Sequence, residues 1–360
     1  MFNDIYKDKI VLVTGHTGFK GSWLSIWLTM LGARVVGLSL KPYTARDNFC
    51  VSHLDKRIYK SILGDIRDIN VINEVFDVYK PEIVFHLAAQ PLVRKAYEYP
   101  KETYEINLLG SLNILESVRH HDSVKKVIMI TTDKCYENLE QIWGYKETDR
   151  MGGYDPYSSS KGCAELMISS YRNSFFNPAK YEEHHKSIAS VRAGNVIGGG
   201  DWSEDRLIPD CIRSIESKKS IELRNPNATR PWEHVLEPLS GYLRLGEMMY
   251  KDPIKYSTSF NFGPNISSNK SVYYLVNYLT TYYGNGTEVK ISQNKEQPHE
   301  NKLLNLDVTK AYFFLNWQAR WTIEQAIEKT VDWYKENLKK PDMFDFCCEQ
   351  IREHGESLVK

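Results

Sequence analysis

Ile10-Val11-Leu12-Val13-Thr14-Gly15-His16-Thr17-Gly18-Phe19-Lys20-Gly21 decides the fold class. A short apolar run ended by a glycine predicts a buried parallel strand. Ser22 to Leu31 then reads as a helix, with Trp23, Leu24, Trp27, Leu28 and Leu31 at helical spacing. Gly15, Gly18 and Gly21 therefore stand between a strand and a helix, the setting of a phosphate-binding turn. Glycines permit the tight turn and a close backbone approach. The helix N-terminus adds N–H groups and a positive dipole end. The spacing GxxGxxG departs from GxGxxG, so a tight strand–helix loop without a ligand competes as a reading of this motif alone.

Outward from that turn the same alternation continues. Arg34 to Leu40, Ile83 to Leu87, Val127 to Thr131 and Ser187 to Val191 read as strands, and Ile69 to Tyr79, Glu102 to His120 and Tyr157 to Phe176 as helices. The expected class is α/β, a Rossmann-like doubly wound parallel sheet. Beyond Gly194 the rhythm breaks at Gly198-Gly199-Gly200, Pro209, Pro226, Pro231 and Pro264. The expected division is a dinucleotide-binding domain over 1–193 and a smaller mixed α/β substrate domain over 194–360, with later segments returning to the first. Asp342 to Lys360 is polar and is expected to form a surface helix.

Composition narrows the partners. The 360 residues carry 46 basic and 46 acidic side chains, and no long basic run points to nucleic acid or an anionic membrane. No stretch reaches membrane-spanning length, and Met1 to Lys9 lacks the apolar centre of a secretion leader, so a cytoplasmic location is expected. Six scattered cysteines suggest neither a zinc site nor a disulfide scaffold. His120-His121 and His184-His185 lack a matching carboxylate spacing and are expected on the surface, with no metal.

Tyr157-Ser158-Ser159-Ser160-Lys161 brings chemistry. A tyrosine and a lysine four apart share a helix face, and the ammonium is expected to lower a phenol pKa that is normally near 10. Tyr97 and Lys101 repeat the pattern, but Pro100 between them disrupts the helix it needs. Thr131-Thr132-Asp133-Lys134-Cys135-Tyr136 follows the fifth strand, at the sheet edge where such folds bind ligands. Gly64-Asp65-Ile66-Arg67-Asp68 offers Asp65 to an adenine amino group. Ala88 and Ala89, before Gln90, leave room for a cofactor. Strand two ends on Ser39 without the usual ribose-binding acid, and Lys41 and Arg46 follow. NAD is the expected cofactor, with NADP open.

The motifs TGHTGFKG, GDIRD, HLAAQPLVR, TTDKCY, GGYDPYSSSKGCAEL, RAGNVIGGGDW and NPNATRPWEHVLEPLSGYL occur in that order between residues 14 and 243, within a likeness that covers most of residues 8 to 335. Through them the chain resembles the extended short-chain dehydrogenase/reductases, within the group of NAD-dependent nucleotide-sugar epimerases and dehydratases. The resemblance implies a 4,6-dehydratase of deoxysugar synthesis for surface polysaccharide such as lipopolysaccharide O-antigen. It acts on a nucleotide sugar, CDP-glucose first, with dTDP-glucose, GDP-mannose or a UDP-sugar as alternatives. A 4-epimerase is the rival activity, and a non-catalytic cofactor-sensing protein the rival class.

The resemblance also implies roles. Thr132, Tyr157 and Lys161 form the catalytic triad. Asp133 is the acid for the departing C6 hydroxyl and must then have a raised pKa. Lys134 stands where many related dehydratases carry a glutamate as C5 base. Gly15, Thr17, Gly18, Phe19, Lys20, Gly21, Asp65, Ile66, Ala88 and Ala89, with Tyr157 and Lys161, would hold the cofactor. Gln90, Arg94, Asn195, Arg206 and Arg230 would contact substrate, Arg230 as the foremost diphosphate partner because arginine binds phosphate oxygens in pairs. Asn107 would support the site. A homodimer, or a dimer of dimers, is implied through the Tyr157 helix and the long helix before it.

Overall fold

The computed structural model describes residues 2–292 and 303–356. Twelve strands are present among these: β1 (Ile10–Thr14), β2 (Arg34–Ser39), β3 (Lys60–Leu63), β4 (Ile83–His86), β5 (Lys126–Ile130), β6 (Ser187–Ala193), β7 (Asn195–Ile197), β8 (Ile221–Leu223), β9 (Thr229–His234), β10 (Ser259–Phe262), β11 (Asn269–Ser271) and β12 (Val289–Ile291). Seven of them form an all-parallel sheet in the order β10-β6-β5-β4-β1-β2-β3. The order reverses between β1 and β4, so β1 and β4 flank the crevice at which doubly wound sheets bind ligands.

Alternation along each strand feeds both faces. In β1, Val11 and Val13 pack with Trp23, Leu24, Phe85 and Leu243, while Leu12 points the other way, toward Val36, Phe76, Val84 and Leu115. Helices Phe19–Met30 and Leu236–Lys251 supply the first layer. Helices Ile69–Tyr79, Ser111–His120 and Pro156–Ser174 supply the second. Every residue of β5 and β6 is buried, as two covered faces require.

From the later chain, β10 extends the sheet beside β6. Two smaller sheets lie outside it. One has the order β11-β9-β7, with β9 parallel to β7 and antiparallel to β11; the other pairs β8 with β12.

Two expectations are corrected. The helical run reaches His120, but its middle turn, Glu105–Gly110, is a wider π turn, often a sign of a functional site. The C-terminal helix Phe344–Glu356 is not a surface helix. Cys347, Cys348, Ile351 and His354 are buried, and the His354 ring meets Trp27 edge-on at 5.7 Å. Its apolar residues, sparse in sequence, recur on one face.

Candidate active site

The glycine turn is shaped by crowding. Gly15 takes φ +76°, and a Cβ there would lie 2.8 Å from the Ala88 nitrogen; one on Gly21 would lie 2.0 Å from the Gly15 carbonyl oxygen. A Cβ on Gly18 would meet only that carbonyl, at 3.3 Å, and Gly18 is exposed. Gly15 and Gly21 thus close the turn while Gly18 opens it, directly before helix Phe19–Met30. This cradle fits a dinucleotide diphosphate: first-turn N–H groups of a helix have no intrahelical acceptor. Thr17 shares a hydrogen bond with Ser39 (2.8 Å) and donates to the Leu40 carbonyl (3.0 Å), tying the turn to the end of β2.

Asp65 accepts from the Arg67 backbone N–H at 2.8 Å and from its guanidinium at 2.6 Å. Ile66 is buried, its Cδ1 2.5 Å from where a Cβ on Gly110 would be. Lys20 is half-buried. Burial lowers its pKa to about 8, with Glu233 and Asp133 pulling up and Arg206 pushing down.

Tyr157 and Lys161 lie in helix Pro156–Ser174, one turn apart and both buried. Asp155 caps the helix, accepting from the Ser158 N–H at 3.0 Å and its hydroxyl at 2.6 Å, and Pro156 occupies the first turn. The expected lowering of the phenol pKa is not what the structure shows. Burial raises Tyr157 to about 12; Asp133 adds to the rise, and Thr132 and Arg206 pull it down. Lys161 is itself lowered to about 8 by burial, against Glu165. Desolvation penalises both charged forms and is the largest influence on each.

Thr132 and Asp133 begin the turn after β5. The Thr132 hydroxyl donates to Asp133 at 2.9 Å and accepts from the Lys134 N–H at 3.4 Å. Asp133 is 3% exposed. Burial pushes its carboxyl above the ordinary range against Lys134, Thr132, Lys20 and Arg230, the direction an acid requires. Lys134 is half-buried beside it.

A hydrogen-bonded chain joins the dinucleotide strand to the Tyr157 helix. Thr14 bonds the His86 ring at 2.7 Å, and the far ring nitrogen bonds Ser111 at 2.9 Å. Ser111 donates to the Asn107 carbonyl at 2.7 Å, the Asn107 amide donates to Ser160 at 2.9 Å, and Ser160 donates to the Tyr157 carbonyl at 2.7 Å. Asn107 also exchanges two bonds with the Gln90 backbone (2.8 and 3.1 Å). His86, Ser111 and Ser160 had no assigned role in the sequence, and only their shared burial reveals one. A second unanticipated group is Glu165, which accepts from Arg192 at 2.7 Å, from Ser190 at 2.9 Å and from Thr131.

The substrate-side residues are distributed differently. The Gln90 amide bonds Thr103 and Leu92, which anchors its own loop. Arg94 meets Asp205 at 3.0 Å, and Arg206 meets Asp201 at 2.8 Å. Asn195 opens β7 opposite Trp232. Arg230, on β9, donates to the Thr229 carbonyl at 2.8 Å and acts electrostatically on Asp133. Ala88 lies against Gly15, with the Ala88 N–H donating to Thr14 at 3.2 Å. Ala89 follows at the same edge.

The family model described as GDP-mannose 4,6 dehydratase matches residues 12–330. CDP-glucose 4,6-dehydratase of Salmonella typhimurium is 48% identical over 340 residues, covering 94% of each chain. Among solved structures, UDP-glucose 4-epimerase of Thermotoga maritima superimposes with a TM-score of 0.77 at 23% identity, covering 91% of this chain and 99% of that one. dTDP-glucose 4,6-dehydratase of Bacillus anthracis in complex with NAD gives 0.74 at 20% identity, covering 92% and 98%. These two likenesses speak to the fold.

Proposed function

Because the chain belongs to the family described as GDP-mannose 4,6 dehydratase, we propose that it converts CDP-glucose to CDP-4-keto-6-deoxyglucose and water. The observation that carries the reading is Asp133: a buried carboxyl of raised pKa, bonded to Thr132 and acting on Tyr157. Oxidation at C4 alone needs the tyrosine and lysine. A neutral acid beside them is what loss of the C6 hydroxyl adds. The 48% identity to the Salmonella typhimurium enzyme supports cytosine as the base.

Tyr157 takes the proton of the 4-hydroxyl, with Lys161 and Thr132 stabilising the phenolate. When bound, NAD would supply the acceptor and the donor of the internal oxidation and reduction. The 4-keto group acidifies the C5 hydrogen, which Lys134 removes once its ammonium has given up a proton. Asp133 then gives its proton to the C6 oxygen and water leaves; C6 is reduced, and Lys134 returns the proton to C5. Arg230 and Asn195 hold the diphosphate.

NAD rather than NADP is supported by Arg46, whose guanidinium is bonded to Glu216 at 2.6 and 2.9 Å and stacks on Trp202 at 3.5 Å. Leu109, Leu166 and Phe175 are exposed along the Tyr157 helix and the helical run before it, which supports pairing of two copies there.

Purified protein offered CDP-glucose, dTDP-glucose and GDP-mannose separately tests this, with products read by NMR. A 4-keto-6-deoxy product from CDP-glucose is expected. Turnover of dTDP-glucose alone would overturn the nucleotide assignment, and a 4-epimer the reaction.

A further inference from the structure

Arg46 reaches across 170 positions to Glu216, yet the pair stands in solvent, with side chains 45% and 23% exposed. An ion pair so placed adds little to stability. Its geometry is nonetheless specific. Two guanidinium nitrogens donate to the two carboxylate oxygens, at 2.9 and 2.6 Å, and the guanidinium carbon lies 3.5 Å from the centre of the Trp202 ring. Glu216 is the last residue of helix Leu207–Glu216. Trp202 is buried, with the Tyr334 ring edge-on at 5.2 Å.

The segment that carries Arg46, residues 40–47, leaves the end of β2 and is fixed at both feet. At the first, Thr17 of the glycine turn donates to the Leu40 carbonyl at 3.0 Å. Beyond the second, the Asn48 N–H donates to the Gly200 carbonyl and its side-chain amide to the Ser22 hydroxyl, each at 3.1 Å. Between the feet, Asp47 accepts from the Thr44 N–H at 2.9 Å and from its hydroxyl at 3.0 Å, and the Arg46 N–H donates to Thr44 at 3.1 Å, so the tip is a closed turn. All of this borders the diphosphate cradle. Ser22 lies in the first turn of helix Phe19–Met30, and a Cβ on Gly198 would lie 3.0 Å from Phe19 Cζ of the same turn. Residues 40–47 thus bridge the two walls of the cradle, the end of β2 and the loop running from Gly198 to Trp202.

Resting on the NAD reading above, we infer that residues 40–47 are a strap over the cofactor cradle and that Arg46 is its clasp, so that NAD leaves only after Arg46 has let go of Trp202 and Glu216. Local opening begins at the weakest contacts. Here those are at the exposed tip, because Asn48 at the second foot is buried. The proposed reaction returns NAD to its starting state, so no turnover calls for its release, and a clasp that slows departure costs no rate.

The test follows NAD leaving wild-type holoenzyme, Arg46→Ala, Glu216→Ala and the double variant in stopped flow, with excess NADH as the chase and its fluorescence as the signal. Each single variant is expected to release NAD about tenfold faster. The double variant should be no faster than either, because one clasp is undone only once. Arg46→Lys keeps the charge but loses the paired bonds and the flat stack, so its rate should fall between. In parallel, hydrogen exchange at the amides of residues 43–47 is expected to quicken in Arg46→Ala and to slow in wild type when NAD binds. Release at the wild-type rate in Arg46→Ala would show a surface ion pair only and overturn the inference, as would accelerations that multiply in the double variant. If Arg46→Ala does not fold, Arg46→Lys decides, a wild-type rate overturning the strap. Wild-type protein that holds NADP and not NAD overturns the cofactor reading instead, and the same chase with NADPH then reads the strap.

Discussion

Glu165 Oε2 and Arg192 Nη2 meet at 2.7 Å in the interior, with side chains 3% and 4% exposed, and the pair spans the Tyr157 helix and β6. Thr131 and Ser190 donate to the same carboxylate, and Arg192 donates to the Tyr136 hydroxyl at 2.5 Å. The network therefore fixes the turn bearing Thr132 and Asp133 against the helix bearing Tyr157 and Lys161.

Removing one partner leaves the other charge buried and alone. Glu165→Leu is expected to cost about 3–5 kcal/mol, read as a fall in urea midpoint, with turnover lost as the helix shifts. Glu165→Leu with Arg192→Met should cost less than the two single changes added, because no lone charge then remains. Additive losses would show that the two residues act separately.

Three buried histidines tie stability to pH. Burial lowers His16 to about 4 and His86, also pressed by Lys161, to about 3, and it pushes His234 well below its ordinary value. Each stays neutral in the folded chain while the unfolded chain takes up a proton near pH 6.5. Their contribution is therefore whole above 6.5 and is lost as pH falls toward the folded values. The expected loss is about 1.4 kcal/mol per pH unit for each histidine. Urea midpoints between pH 6 and 5 should fall, and His16→Asn should remove about a third of that slope.

The last two glycines of the turn separate packing from opening. Gly21→Ala drives a methyl into the Gly15 carbonyl and is expected to cost about 1–3 kcal/mol as an overpacked contact. Gly18→Ala meets only a contact at 3.3 Å, so its melting temperature should stay near wild type while NAD affinity by calorimetry falls. Equal melting losses in both variants would contradict this division.

The C-terminal helix carries a simpler prediction. Ile351 is fully buried, so Ile351→Ala should destabilise the chain by about 2–5 kcal/mol, whereas a residue on a surface helix would cost almost nothing. Chemical denaturation distinguishes the two.

What sequence alone determined was local chemistry. The apolar runs of β1, β4, β5 and β6, the glycines after β1 and the Tyr157–Lys161 spacing depend on neighbours within a few residues, and the doubly wound sheet follows from their order. Tertiary structure decided the rest. The Tyr157 phenol is raised by burial, which no spacing encodes. Glu165 with Arg192 and His86 with Thr14 join residues 27 and 72 positions apart. Such groups read in sequence as ordinary polar residues, and acquire a function only when the sheet and its covering helices take them out of water together.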